Sequence, residues 1–302
     1  MKVTWKELKI SPEDEKTIAE IRNNSSGKSL SPELMEKYHV GEEQEFTIET
    51  RVGDCRVYLY RPVGTSESNP LLINLHGGGF VKGRRDQDTV FCRNICSRSG
   101  WTVLDVDYIP SPVMRYPGQV YTSYDVLQYC ASHSRELLVD RNRIVMCGHS
   151  VGGTLTAAAI LMAIDEGTFI PAMQILDYAA LDLKTPALER RNGNSNPRIP
   201  AWKSDFYHKM YVEPEQTKEV YCSPCFASDE QLEKMPPVMM IYCDNDMFCD
   251  EDEIFLCRLL KLGIPVRAKR FFHSDHGFVV QRRGEYELAE RMILDALENI
   301  SK

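Results

Sequence analysis

No stretch of this chain approaches 18 consecutive apolar residues, so its 302 residues offer no helix able to cross a membrane. The opening Met1-Lys2-Val3-Thr4-Trp5-Lys6-Glu7-Leu8 lacks the apolar core of a secretory signal and is too charged for one. A cytoplasmic protein is therefore expected. Positive charge is in deficit: 36 Lys and Arg face 44 Asp and Glu, a formal net charge of −8. Nucleic-acid binding needs a basic face, so no nucleic-acid partner is expected. Clustered cysteine pairs are lacking as well. Ten cysteines are present, yet Cys222-Ser223-Pro224-Cys225 is a lone C-x-x-C, and zinc needs four protein ligands or three and a water. No metal and no cofactor is expected. Without a secretion signal the thiols are read as reduced. Cys147, Cys243 and Cys257 fall at apolar positions and read as small core residues. Internal repeats and low-complexity stretches are absent too.

What is present is a globular composition, 43% hydrophobic, enough for a full core. Residues 13–38 read as two short polar helices split by Asn23-Asn24-Ser25-Ser26-Gly27. Residues 46–62 alternate apolar and polar, as in a hairpin of half-buried strands. From Leu71 onward strand-like runs alternate with helical ones. The strand candidates are 71–75, 102–106, 144–147, 173–176, 238–242 and 266–272. Such alternation predicts an α/β fold with a mainly parallel sheet and helices on both faces. A helix over 250–262 carries acids in its first turn (Asp250, Glu251, Asp252, Glu253), Arg258 and Lys261 in its last, then Gly263 and Pro265. That helix-end logic accounts for the acid cluster without any further role.

Three short patterns carry chemistry. Gly148-His149-Ser150-Val151-Gly152 follows the apolar run Ile144-Val145-Met146 and precedes a helical stretch. It is a G-x-S-x-G turn, the geometry that lifts a serine hydroxyl above the carboxyl edge of a sheet. Leu71–Leu75 runs straight into His76-Gly77-Gly78-Gly79-Phe80. Bare glycine N–H groups there can converge on one oxygen, as acyl transfer requires of an oxyanion site. The loop fits neither the phosphate pattern G-x-x-x-x-G-K-[ST] nor the dinucleotide pattern G-x-G-x-x-G, because Lys82 stands where the last glycine should be. Downstream, one strand-like run ends at Cys243-Asp244-Asn245-Asp246 and another at His273-Ser274-Asp275-His276-Gly277-Phe278. Serine, acid and histidine thus each follow a strand, in the order Ser…Asp…His. Asp244, Asp246 and Asp250 remain candidate acids, and His273 and His276 candidate bases.

With those residues in view, the chain resembles the α/β-hydrolase superfamily in its hormone-sensitive-lipase-like esterase branch. That branch carries H-G-G-G-[FW], G-[DT]-S-A-G-G, D-P-L-x-D-E and H-G-F. Here they read HGGGF, GHSVGG, DMFCDE and HGF. Asp107-Tyr108 resembles the start of D-Y-R-L-A-P, and Ser223-Pro224-Cys225-Phe226-Ala227 resembles S-P-L-x-A. The landmarks run in order from Leu71 to Phe278, about two-thirds of the chain. The resemblance implies Ser150 as nucleophile, His276 of the H-G-F as base and later acid, and Asp246 as the acid that orients the imidazole. Gly78, Gly79 and Val151 would supply the oxyanion hole. It also implies a helical cap built from residues 1–45 and an insertion at 185–221, over a core of 46–184 and 222–302. The polar run Arg190–Pro197 and the helically spaced aromatics Trp202, Phe206, Tyr207 and Tyr211 lie in that insertion. His149 and Val151 depart from the branch pattern, as does Ile109-Pro110-Ser111. These leave the triad intact and put pocket shape in question. His76 and His149 read as structural, although a part for His149 in tuning pH dependence stays open.

The expected activity is hydrolysis of short-chain acyl esters through an acyl-enzyme, on a small-molecule ester partner, with activity falling as pH drops and the histidine protonates. An amidase, formamidase or sugar deacetylase would use the same triad, and a catalytically silent ligand-binding protein would use the same fold. A metal-dependent phosphohydrolase is a rival from Asp244-x-Asp246, but that motif lies late in the chain and lacks a following Gly-Thr. The substrate-binding residues and the oligomeric state, homodimer included, are left open by the sequence.

Overall fold

In the computed structural model, which describes residues 8–23, 29–65, 68–193, 195 and 198–301, the apolar runs become neighbouring strands of one eight-stranded sheet. The start at residues 1–7, the break at 24–27 and positions 194, 196 and 197 of the polar run lie outside the described residues. The strands are β1 (Glu42–Thr50), β2 (Gly53–Arg61), β3 (Asn69–Leu75), β4 (Thr102–Asp107), β5 (Val139–His149), β6 (Met173–Asp177), β7 (Val238–Asn245) and β8 (Val266–Asp275). Their spatial order is β1-β2-β4-β3-β5-β6-β7-β8. The hairpin β1–β2 is antiparallel, β2 runs antiparallel to β4, and every later pairing is parallel.

Strand β3, most of β7 and the second half of β5 are buried on both faces and read as unbroken apolar runs, whereas the edge strand β8 buries only Phe271 and Ser274. In β3, Leu71, Ile73 and Leu75 enter one core while Leu72 enters the other, as a period of two dictates. The helices are α1 (Pro12–Asn23), α2 (Pro32–Lys37), α3 (Asp86–Ser99), α4 (Gly118–Ser132), α5 (Val151–Glu166), α6 (Ala201–Tyr211), α7 (Asp229–Leu232), α8 (Cys249–Lys261) and α9 (Tyr286–Ser301). Helices α4 and α5 share the first core with Leu71, and α3 and α9 share the second. A third core joins α8 to β6 and β7.

Three expectations need correction. β5 begins at Val139, not Ile144, because its first turn of strand is the polar Asp140-Arg141-Asn142-Arg143, which no apolar criterion detects. Cys257 is exposed on the outer face of α8, although Cys147 and Cys243 are core residues; all ten cysteines are free thiols. The acids at the start of α8 are not simply a solvated helix end. Glu251 and Asp252 are buried, because that face of α8 lies against the third core. The Glu251 carboxylate accepts from the N–H groups of Leu181 (2.6 Å) and Asp182 (3.1 Å) and pairs with Arg190. The Asp252 carboxylate has no hydrogen-bond partner among the described residues, and burial with nearby carboxylates pushes its pKa well up.

The segment 185–221 folds around α6 and is tied down at both ends. Arg190 donates to Asp182 O and Thr185 O. Arg115 donates to the carbonyls of Met210 (3.0 Å) and Lys209 (3.2 Å) and to Glu213. Tyr211 stacks on Phe80 with centroids 3.6 Å apart. α1 lies on the same side: Lys209 of α6 pairs with Asp14 at 2.7 Å, and Arg22 donates to Val81 O and Ser111 O.

Candidate active site

Ser150 occupies the single residue between β5 and α5, with φ 56° and ψ −122°. A non-glycine residue with that positive φ is strained, and such strain persists only where the surroundings over-determine it. They do so here. The Ser150 N–H donates to Asp177 O at the end of β6 (2.9 Å), and Gly153 N–H returns to Ser150 O (2.8 Å). The elbow also needs its glycines for close approach: a Cβ on Gly152 would lie 2.0 Å from Leu75 O, and one on Gly148 would lie 2.1 Å from Gly152 O.

His276 follows directly on the last residue of β8, and Asp246 on the last residue of β7. The sheet brings both to Ser150. His276 Nδ1 is 2.6 Å from Asp246 Oδ2, and its Nε2 is 2.9 Å from Ser150 Oγ. An imidazole that donates its Nδ1–H to the carboxylate leaves Nε2 bare to accept the serine hydroxyl. All three side chains are buried. Edge contacts from Tyr178 (5.0 Å) and Phe248 (5.3 Å) hold the imidazole on both sides. Asp246 Oδ1 also accepts from Phe248 N–H at 3.3 Å.

The other candidates are elsewhere. His273 is exposed, with its N–H on Glu285. Asp244 pairs with Arg270, and Asp250 with Arg191 at 3.2 Å. The glycine loop after β3 faces Ser150: a Cβ on Gly77 would lie 3.2 Å from Ser150 Cβ. The N–H groups of Gly78, Gly79 and Val151 find no acceptor among the described residues, and Val151 is the first residue of α5. His76 is buried behind this loop. It contacts Gly77 O through Nδ1 (2.9 Å) and stacks on Tyr108 at 4.1 Å. Burial pushes its pKa down, so it is carried neutral.

His149 is enclosed under the elbow. Its Nδ1 is 2.6 Å from Asp177 Oδ2 and its Nε2 is 3.1 Å from Asn74 Oδ1. Asn74 turns its amide N–H toward Asp105 at 2.7 Å, which fixes the oxygen toward His149. Both ring nitrogens therefore meet acceptors, and the imidazolium form satisfies both. Burial opposes that charge, but the Cys147 sulfur and the Asp177 carboxylate outweigh it, pushing the pKa up to about 10.

A cavity of about 340 Å³ opens over Ser150 and His276. Its walls come from the glycine loop and from the α6 segment, including Trp202, Lys203 and Tyr207. Sequence reasoning left these substrate-side residues unassigned. Lys82, Arg85, Arg198 and Lys203 all line this space, yet nothing in their local sequence signals it.

A mainly parallel sheet with a serine on a strained turn between a central strand and a helix defines the α/β-hydrolase class. Residues 72–280 match the family model described as alpha/beta hydrolase fold, and the chain belongs to that family, as its landmarks implied. It is 27% identical to an arylesterase of Saccharolobus solfataricus over 83% of this chain and 81% of that protein. It is 27% identical to an acetyl esterase of Salmonella schwarzengrund over 77% and 72%. An esterase of Pyrobaculum calidifontis superposes with a TM-score of 0.85 at 27% identity, over 97% of this chain and 96% of that one. Among the described residues no helix is long and apolar enough to cross a membrane.

Proposed function

We propose that this protein is a serine carboxylic-ester hydrolase acting on short-chain acyl esters. The observation that carries the reading is the hydrogen-bonded line Ser150–His276–Asp246 at the ends of β5, β7 and β8, open to a cavity. Ser150 Oγ attacks the ester carbonyl while His276 Nε2 takes its proton. The carbonyl oxygen becomes an oxyanion held by the N–H groups of Gly78, Gly79 and Val151, the last at the positive end of α5. His276 then returns the proton to the leaving alcohol, and an acyl-enzyme remains. Water attacks that ester by the same route, giving the free acid and Ser150. Asp246 keeps the imidazole in the productive tautomer and stabilises its charged form without taking the proton.

The esterase names of the relatives support a carboxylesterase-type reaction, and the acetyl esterase supports a short acyl group. So does the small cavity. The described residues ahead of β1, with those of the 185–221 segment, act as its cap, since α1 and α6 are bridged by Lys209 and Asp14. Ten free thiols support a reducing, cytoplasmic location.

The test is a ladder of p-nitrophenyl esters from acetate to palmitate, run with and without chelator, beside Ser150→Ala. Short esters are expected to turn over regardless of chelator, and the variant to lose both turnover and fluorophosphonate labelling. Labelling retained in Ser150→Ala places the nucleophile elsewhere, and loss of activity on chelation favours a metal-dependent hydrolase.

A further inference from the structure

The chain is acidic overall, yet the cavity above Ser150 has the opposite sign. Lys82, Arg85, Arg198 and Lys203 line it, and no Asp or Glu does among the described residues. These cations come from two separate parts of the chain. Lys82 and Arg85 follow the glycine loop, whereas Arg198 and Lys203 belong to the segment around α6. They converge only because that segment folds over the loop, with Tyr207 packed so closely on Gly79 that a Cβ there would lie 2.3 Å from its ring.

Arg198 and Arg85 meet carboxylates outside the cavity. Arg198 Nε is 2.7 Å from Asp275, and Arg85 Nε is 3.6 Å from Asp88. Lys203 forms no ion pair among the described residues; its ammonium stands 5.9 Å from the Tyr207 ring centroid, beside the glycine loop. Lys82 is buried. Burial and the charges of Arg85 and Lys203 push the Lys82 pKa down to about 8, and burial with Arg85 pushes that of Lys203 down. Like charges gathered in a desolvated space repel one another, and an anion placed among them removes that cost. A neutral ester gives no reason for such a lining. The oxyanion of the reaction does not require it either, because backbone N–H groups at Gly78, Gly79 and Val151 face that position.

We propose that the substrate is an ester carrying its own anionic group, a carboxylate or phosphate, held between Lys82 and Lys203. This rests on the serine-hydrolase reading above. The anion fixes the ester relative to Ser150 and selects against neutral esters of the same size. Arg85 and Arg198, each held by its own carboxylate, form the rim of that anion site.

The test separates binding from turnover. Ser150→Ala protein is titrated calorimetrically with two matched pairs: monomethyl against dimethyl glutarate, and 4-acetoxybenzoate against its methyl ester. The first pair places the anion on the acyl side and the second on the leaving group. At least one anion is expected to bind ten times or more tighter than its neutral partner. Adding Lys203→Gln should remove most of that preference, and Lys203→Arg should keep it. Equal binding within both pairs, no binding of either anion at millimolar concentration, or a preference that survives Lys203→Gln overturns the anion site. Wild-type protein is assayed in parallel with the neutral esters and a fluorophosphonate. Labelled, active protein without anion preference sinks the anion site alone; protein that neither labels nor turns over sinks the hydrolase reading itself.

Discussion

In the proposed mechanism, a single proton position on His276, set by Asp246, decides reactivity. The 2.6 Å contact from Asp246 to Nδ1 is what leaves Nε2 free for the serine. Asp246→Asn would keep the shape but present an N–H donor, favouring the wrong tautomer. A fall in kcat of about 10⁴-fold is expected, the size seen for that change in a Ser-His-Asp triad. The change should leave thermal stability nearly unaltered; steady-state kinetics beside a melting curve distinguish this from general damage. Sequence alone left Asp244, Asp246 and Asp250 open before the family pattern was invoked. The structure separates them by partner: Asp244 is taken by Arg270 and Asp250 by Arg191, and Asp246 alone touches His276. His273 and His276 divide the same way: the register of β8 breaks opposite Cys243–Asn245 and leaves His273 exposed, while His276, just past the strand, meets Asp246 and Ser150.

At the scale of elements, the site depends on how closely β3, β5 and α5 approach. Gly152 sits where a methyl group would lie 2.0 Å from Leu75 O and 2.7 Å from His76 O. Both are backbone atoms of the strand that leads into the glycine loop, so no rotamer change can relieve the contact. Gly152→Ala is expected to destabilise the protein by about 3 kcal/mol or more, read as a lower denaturation midpoint. Any folded fraction should lose activity, since the loop and the elbow can no longer face each other. The G-x-S-x-G and H-G-G-G patterns were legible because each is written in a few adjacent residues, although the close approaches that Gly152 and Gly79 serve are to distant parts of the chain. The polar first half of β5 was not legible, because Asp140–Arg143 fall at a break in register with β3, between the Asn69–Val139 and Leu71–Ile144 pairs, and carry no apolar period.

The whole molecule stores charge inside, and that makes its stability depend on pH. His149 has an ordinary value of 6.5 and is pushed up to about 10 in the folded state. A raised folded value means that the folded form binds the proton more tightly than the unfolded chain does. The resulting stabilisation is complete below about pH 6.5 and is lost as pH rises through about 10. It is measurable as a fall in denaturation midpoint between pH 6.5 and 10. His149→Gln removes the titrating group and should flatten that fall. An equally steep loss in the variant would assign the effect to other groups.

By itself the sequence determined the mainly parallel sheet, the chain order of serine, acid and histidine, and the two turns that meet at Ser150. Those features follow from backbone conformation and from a strand period of two, which a handful of adjacent residues specifies. Only the tertiary structure decided that Glu251 and Asp252 are buried rather than solvated, that His149 is clamped between Asp177 and Asn74, and that Lys82 and Lys203 share one cavity. Each of these joins residues that no local pattern relates. Burial and field depend on which distant surfaces close over a side chain, and folding the 185–221 segment onto the glycine loop sets both.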